Sequence, residues 1–354
     1  MITYLTTGCA GFIGSNFVHY MLSRHDDIRI VNLDALTYAG NPENLKALEG
    51  DPRHVFVHGN ICDKALVAKL IADYDPDYII NFAAESHVDR SIADCEDFVT
   101  TNVMGTVNLL QCAKDAWYDD AQKTWMSGKK FIQISTDEVY GALGPDGYFT
   151  EDTAVNPHSP YSSSKASADH FVKAFYDTYK MPVNITRCSN NYGPYQFPEK
   201  LIPLMINNAV NHKGLPVYGD GMQIRDWLYV EDHCKAIDMV AAGGRNGEIY
   251  NIGGHNEKTN ISIVKTVIAR LSEKLNDPDI NENLIRHVED RLGHDRRYGI
   301  DPSKIKSDLG WYPETSFEEG IVKTIDWYLE NGEWMNGVTS GEYQNYYEKM
   351  YGNR

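Results

Sequence analysis

A chain of 354 residues, 42% hydrophobic and 23% charged, has the length of two domains, or of one large α/β domain with an appended lobe. Its net charge of −17 is spread along the chain, which argues against a nucleic-acid or anionic-membrane surface and means that an anionic ligand needs a local basic pocket. Six cysteines without a C-x-x-C pair and twelve histidines without H-E-x-x-H indicate neither a metal site nor a disulfide framework, and no apolar run reaches spanning length; a cytoplasmic protein with nothing removed is expected.

Ile2–Thr7 reads as a first strand, and Gly8-Cys9-Ala10-Gly11-Phe12-Ile13-Gly14 then opens a helix running to Ser23. Glycines there permit a tight turn and bring backbone amides at the helix N-terminus close to a pyrophosphate. Ile28–Leu33 forms a second strand ending on Asp34, where an acid can hold ribose hydroxyls and repels a 2′-phosphate, so NAD is favoured over NADP. Strand candidates at 53–58, 77–83, 131–135 and 182–187 alternate with helical stretches around 63–74, 89–116 and 160–180. That alternation predicts an α/β fold, a Rossmann-type doubly wound parallel sheet.

Between those elements, the aromatic stretch Trp117–Trp125 is expected to pack as a surface insertion with no assigned function. After Arg187 the segment 190–198 is too rich in turn formers for regular structure, and a second, smaller mixed α/β lobe begins. Residues 224–251 look like a return to the sheet, with Trp227-Leu228-Tyr229-Val230 extended, a helix over 231–242 and Ile249–Ile252 as a strand. The expected division is 1–188 with 225–251 for the cofactor, and 189–224 with 252–354 for the second ligand.

The chemistry concentrates at two places. Phe131–Ile134 is a buried strand whose carboxyl end carries Ser135-Thr136-Asp137-Glu138, and in open α/β sheets that end faces the ligand crevice. Successive strand side chains point to opposite faces, so both carboxylates can reach one ligand only if the strand has ended before them. Downstream, Ser159-Pro160 starts a helix that carries Tyr161 and Lys165 one turn apart on one face. A phenol beside an ammonium and an oxidised nicotinamide suits proton abstraction from a hydroxyl during hydride transfer.

With the glycine turn, Asp34 and the Tyr161/Lys165 pair together, the chain resembles the extended short-chain dehydrogenase/reductase family over nearly all its length. Ser135–Gly141, Cys188–Tyr195, Phe197–Pro203, Gly219–Trp227 and Asp290–Tyr298 are most similar to the sugar-nucleotide 4,6-dehydratases of that family. Two departures are Leu292, where the family usually has proline, and Asn60, where it often has aspartate.

The resemblance implies that dTDP-glucose is oxidised at C4 by NAD, loses water across C5–C6 and receives the hydride back at C6, feeding deoxysugar and dTDP-rhamnose synthesis. Tyr161 is then the base at the 4-hydroxyl, Thr136 orients that hydroxyl, Asp137 donates to the departing 6-hydroxyl, Glu138 takes the C5 proton, and Lys165 supports Tyr161. For NAD it implies Gly8, Gly11, Phe12, Ile13, Gly14, Asp34, Asn60, Ile61, Asp63, Ala83, Ala84 and Asn191 besides Tyr161 and Lys165. For substrate it implies Ser86, Thr101, Thr136, Asn190, Glu199, Lys200, Leu201, Arg225, Asn260, Arg291 and His294. It also implies a homodimer through the helices around 89–116 and 160–180. Competing readings are a UDP-glucose 4,6-dehydratase, a UDP-sugar 4-epimerase and an NAD-sensing binding protein.

Overall fold

The computed structural model describes residues 1–290 and 292–339. In chain order its strands are β1 (Ile2–Thr7), β2 (Ile28–Asp34), β3 (His54–His58), β4 (Tyr78–Asn81), β5 (Tyr118–Asp119), β6 (Thr124–Trp125), β7 (Lys130–Thr136), β8 (Val183–Cys188), β9 (Asn190–Tyr192), β10 (Leu215–Tyr218), β11 (Ile224–Tyr229), β12 (Ile249–Ile252), β13 (Glu257–Thr259) and β14 (Ile285–Val288). One sheet takes the order β12-β8-β7-β4-β1-β2-β3 with every neighbouring pair parallel. The direction of winding reverses between β1 and β4, and a ligand crevice belongs at the carboxyl ends of those two strands.

Every residue of β7 is buried, because helices cover both faces of the sheet. That explains the near-continuous apolar run Phe131–Ile134 in place of an alternating one. On one face Leu5, Val31, Ile79, Phe131 and Val183 pack with Val67, Leu109 and Val172. On the other, Tyr4, Ile30, Ile80 and Ile132 pack with Phe17, Met21, Cys234 and Ile237.

The helix Pro160–Tyr179 begins with a reciprocal capping box between Ser159 and Ser162 and has Pro160 in its first turn. It stops at Lys180, which is in the left-handed conformation. Its start is thereby fixed at the residue before Tyr161, and this fixes which face the tyrosine presents.

The second lobe has a separate core of Tyr192, Trp227, Tyr229, Val264, Val267, Phe317 and Ile321. The return to the large sheet is later than the sequence suggests. Residues 224–229 are extended, but they pair with β9 and β13 in a small three-stranded sheet, and only β12 rejoins the large one. Trp227 has its apolar partners in the second lobe, and an extended pattern alone does not say which sheet a strand enters.

The helical stretch at 89–116 is divided into Val88–Ala93, Glu96–Phe98, a π-helix over Val99–Gly105 and an α-helix over Thr106–Trp117. The π-helix widens the turn where Asn102, inside it, bonds out to Glu85 and Ser164, and such widened turns recur at functional sites. The insertion 117–125 forms the short hairpin β5–β6. Its first aromatic, Trp117, is 1% exposed and belongs to the sheet core, while Trp125 donates to the Tyr179 carbonyl at 2.8 Å.

Candidate active site

Gly8 sits at φ +72°, and a Cβ there would lie 2.6 Å from the Ala83 backbone. A Cβ on Gly14 would lie 2.6 Å from Cys9 Cα. Only glycine lets the first turn pass this close to the end of β4. Asp34 closes the same turn: Oδ2 accepts from the Ala10 amide at 2.8 Å and Oδ1 from the Leu36 amide at 2.8 Å. Burial raises the pKa of Asp34, and these two amides oppose the rise. Each oxygen keeps a free lone pair, so the acid can still accept two ribose hydroxyls. The glycine cradle and this carboxylate fit a dinucleotide with an unphosphorylated ribose.

At the other end of the cleft, β7 ends on Thr136 and the chain turns into a 3-10 helix over Asp137–Tyr140. The Thr136 hydroxyl accepts the Glu138 amide at 3.2 Å and donates to Asp137 Oδ1 at 3.3 Å. The geometric demand for two acids on one ligand is therefore met, because the strand stops before either of them. Asp137 is 2% exposed, and its Oδ2 has no hydrogen-bond partner among the described residues. Burial, then the charges of Glu138 and Asp226, push its pKa well above the ordinary carboxylate range, against the pull of Arg225. The shift is toward the protonated form, the form a proton donor needs.

Tyr161 and Lys165 are both buried in the same wall. Burial, then Glu138, Cys188 and Asp137, raise the Tyr161 phenol, and a hydrogen bond with Thr136 lowers it. Lys165 Nζ donates to the Ile134 carbonyl at 2.7 Å, so the lysine is tied to the strand that carries the acids. Burial lowers its pKa, and the charge of Asp169 resists this.

One cleft of about 310 Å³ is lined by most of the predicted residues. They are Gly8, Gly11, Phe12, Ile13, Gly14, Asp34, Asn60, Ile61, Ala83, Ala84, Ser86, Thr101, Thr136, Asp137, Glu138, Tyr161, Lys165, Asn190, Asn191, Glu199 and Lys200. Asn190 Oδ1 is buried there without a hydrogen-bond partner among the described residues, as expected of an acceptor that faces a ligand. Glu199 is fully enclosed, and burial pushes its pKa up to about 7 against Lys200 and Arg90. His87 Nε2 lies 3.7 Å from Glu199 Oε2, and Lys200 Nζ donates to the Ser86 carbonyl at 3.3 Å.

Five of the predicted residues that the structure describes do not line this cleft. Asp63 caps the helix Lys64–Tyr74 by accepting from the Leu66 amide at 3.0 Å. Leu201 and Asn260 are the first residues of the helices Leu201–Val210 and Asn260–Leu275. Arg225 donates to the carbonyls of Ile224 and Asp295, with its guanidinium 4.2 Å from the centre of the Tyr298 ring. His294 Nδ1 pairs with Asp290 Oδ1 at 2.6 Å. Arg291 lies outside the described residues.

The cleft also contains side chains the sequence reading passed over: Thr37, Glu85, Cys188, Gln196 and Phe197. Beside it, Arg90 lies 3.9 Å from the centre of the Tyr38 ring. Glu85 stands in the motif that ends β4 and could have been found from that position. Thr37 and Tyr38 follow Asp34 in an irregular loop, where no periodicity marks them.

The chain matches the GDP-mannose 4,6 dehydratase family description over residues 5–324. It is 54% identical over 346 residues to a dTDP-glucose 4,6-dehydratase of Xanthomonas campestris pv. campestris, covering 97% of this chain and 98% of the relative. It is 50% identical over 360 residues to dTDP-glucose 4,6-dehydratase 1 of Escherichia coli strain K12, covering 99% of each. Among solved structures, the Bacillus anthracis dTDP-glucose 4,6-dehydratase in complex with NAD superposes with a TM-score of 0.85 at 49% identity, covering 96% of this chain and 100% of that one. The Streptomyces venezuelae dTDP-glucose 4,6-dehydratase DesIV, with NAD and TYD bound, gives 0.86 at 45% identity, covering 95% and 100%. A UDP-glucose 4-epimerase of Thermotoga maritima has a TM-score of 0.81 at 26% identity, covering 93% and 99%.

Proposed function

The chain belongs to the GDP-mannose 4,6 dehydratase family of extended short-chain dehydrogenases, and we propose how its own residues divide the dehydration of dTDP-glucose between them. The reaction is a 4,6-dehydration giving dTDP-4-keto-6-deoxyglucose, with NAD as cofactor. NAD held by the glycine turn and Asp34 supplies a hydride acceptor for C4 of the hexose and a hydride donor for C6. Tyr161 takes the proton of the 4-hydroxyl while the Thr136 hydroxyl orients it. The ketone formed at C4 acidifies the C5 hydrogen; Glu138 removes it as a proton and returns a proton to C5 when C6 is reduced. Asp137, shifted by burial toward its protonated form, gives its proton to the 6-hydroxyl, which leaves as water.

The observation that carries this reading is the end of β7 at Thr136, which places Asp137 and Glu138 on a turn in the cleft lined by Tyr161 and Lys165. Two carboxylates with unlike surroundings are needed for elimination and have no use in epimerisation. Incubation with dTDP-glucose tests it: the expected product is the 4-keto-6-deoxy sugar, detected by its alkali-induced absorbance and by NMR. A galactosyl product, or no product, overturns it.

The finer assignments extend this reading. Asn190, Glu199, Lys200, Ser86 and Thr101 bind the sugar nucleotide from the cleft. The product is a substrate for further deoxysugar synthesis, and dTDP-rhamnose is the end product that the family resemblance suggests. Homodimerisation is supported by exposed Val99, Met104 and Phe171 on adjoining helices, which leave apolar surface for a second copy. A cytoplasmic location is supported by six free cysteines. Among the described residues no helix is long and apolar enough to cross a membrane.

A further inference from the structure

Behind the cleft, on the side away from the glycine turn, a charged cluster is sealed in the sheet. Asp169 is 2% exposed and lies one turn past Lys165 on the helix Pro160–Tyr179. Its Oδ2 accepts from Ser135 Oγ at 3.0 Å and from Arg187 Nε at 3.0 Å, and Oδ1 has no hydrogen-bond partner among the described residues. Ser135 on β7 and Arg187 on β8 are direct partners in the register of the two strands. The Arg187 guanidinium lies 4.7 Å from the centre of the Tyr140 ring, and Tyr140 ends the 3-10 turn that carries the two acids. The Tyr140 hydroxyl donates to Asn251 Oδ1 on β12 at 2.9 Å, which locks that ring.

A buried ion pair is a poor route to stability, since matched apolar side chains of the same volume serve as well or better. This one lies against Tyr140 of the acid-bearing turn on one side and one helical turn from Lys165 on the other. We propose that Asp169 is a positioning residue for the oxidation half of the reaction, the buried counter-charge of Lys165, and that Arg187 and Ser135 hold it at a fixed spacing from the acid-bearing turn. The proposal rests on the dehydratase reading and adds residues to it.

The groups that face Lys165 are few. Tyr161 and Asp169 stand one turn before it and one turn after it on its own helix, the Ile134 carbonyl meets it from β7 at 2.7 Å, and the Cys188 thiol lies near it on β8. Burial pushes the Cys188 thiol up to about 12, so it carries no charge near neutral pH. Asp169 is then the anion that holds the enclosed ammonium charged, and an uncharged Lys165 no longer favours the Tyr161 phenolate.

The test is the pH dependence of kcat for the NAD-loaded full chain with dTDP-glucose, for wild type and D169N. In D169N the alkaline limb, where Lys165 loses its proton, moves toward neutrality by about one pH unit or more, a tenfold change in proton affinity. The KM for dTDP-glucose changes less than kcat, and D169E restores part of the limb. An alkaline limb that stays in place, or a loss of kcat uniform across pH in a folded variant, overturns the proposal. D169N leaves Arg187 without its partner, so where that variant does not fold, D169N/R187Q is used: the limb moves in the same direction by less, because losing the Arg187 cation offsets part of the change, and a limb that stays in place overturns the proposal. Wild-type turnover measured alongside separates the two readings: without it the dehydratase assignment fails and this inference with it, whereas normal turnover with coincident profiles sinks this inference alone.

Discussion

The Thr136 hydroxyl accepts the amide hydrogen of Glu138 at 3.2 Å, and that bond turns the chain out of β7 before the first acid. Thr136→Val keeps the shape and removes the hydroxyl's bonds to the Glu138 amide, Asp137 and Tyr161. The expected cost is about 1 kcal/mol of stability, typical of a lost cap. A fall in kcat of about tenfold to a hundredfold should accompany it as the acids lose their fixed direction. Thr136→Ser should recover most of the activity. Steady-state kinetics and thermal melts of the three proteins check this.

Asp137 and Tyr161 serve different steps, so their variants should stop at different points. Asp137→Asn cannot supply a carboxylic proton, and elimination should slow by about 10² to 10⁴ while oxidation at C4 persists. The signature is absorbance at 340 nm that builds after mixing with dTDP-glucose and does not decay. Tyr161→Phe should lose turnover by a similar factor, keep its NAD and show no such absorbance. Stopped-flow traces of both variants distinguish the assignments, and identical traces would dissolve them.

Glu199 gives a pH-dependent contribution whose sign can be worked out. Burial holds its folded pKa at about 7, above the value of a free glutamate. Between those two values the folded state binds more protons than the unfolded chain, so stability falls as pH rises through the window and stays lower above it. Glu199→Gln removes that loss. The melting temperature of the variant minus that of wild type should therefore increase between pH 5 and pH 8, by roughly a few degrees. Calorimetry of the two proteins without substrate, at both pH values, checks it; a difference independent of pH would contradict it.

Gly8→Ala sets a methyl group 2.6 Å from the Ala83 backbone at a φ of +72°. The strained backbone alone costs about 1–3 kcal/mol, and relief requires β1 and β4 to part where the cofactor lies. The variant should melt at lower temperature and retain less NAD through gel filtration. Normal NAD content would show that the turn tolerates a side chain.

How much of this could be read from the chain depended on how local each feature is. The glycine turn, Asp34 and the start of the helix at Ser159-Pro160 are set by residues within a few positions of one another, and the structure places them as expected. The break after Thr136 is also local, since one hydroxyl makes it. Trp227 enters the small sheet and not the large one because the core it joins, through the Tyr192 ring, is assembled from residues distant in sequence. The π-helix was invisible for the same reason: Asn102 leaves the regular pattern to reach Glu85 and Ser164. Thr37 enters the cleft by the folding of a loop, which no periodicity announces.

Asp34 spends both carboxylate oxygens on the amides of Ala10 and Leu36, so the residue that we propose discriminates between coenzymes is also a strut of its own loop. Exchanging it for a smaller or basic side chain to admit the phosphorylated coenzyme would take away two anchors of the loop along with the repulsion. An engineer who wants that switch must rebuild the segment from Ala10 to Leu36 as one unit, and a lineage drifting toward the other coenzyme would meet the same obstacle at its first step.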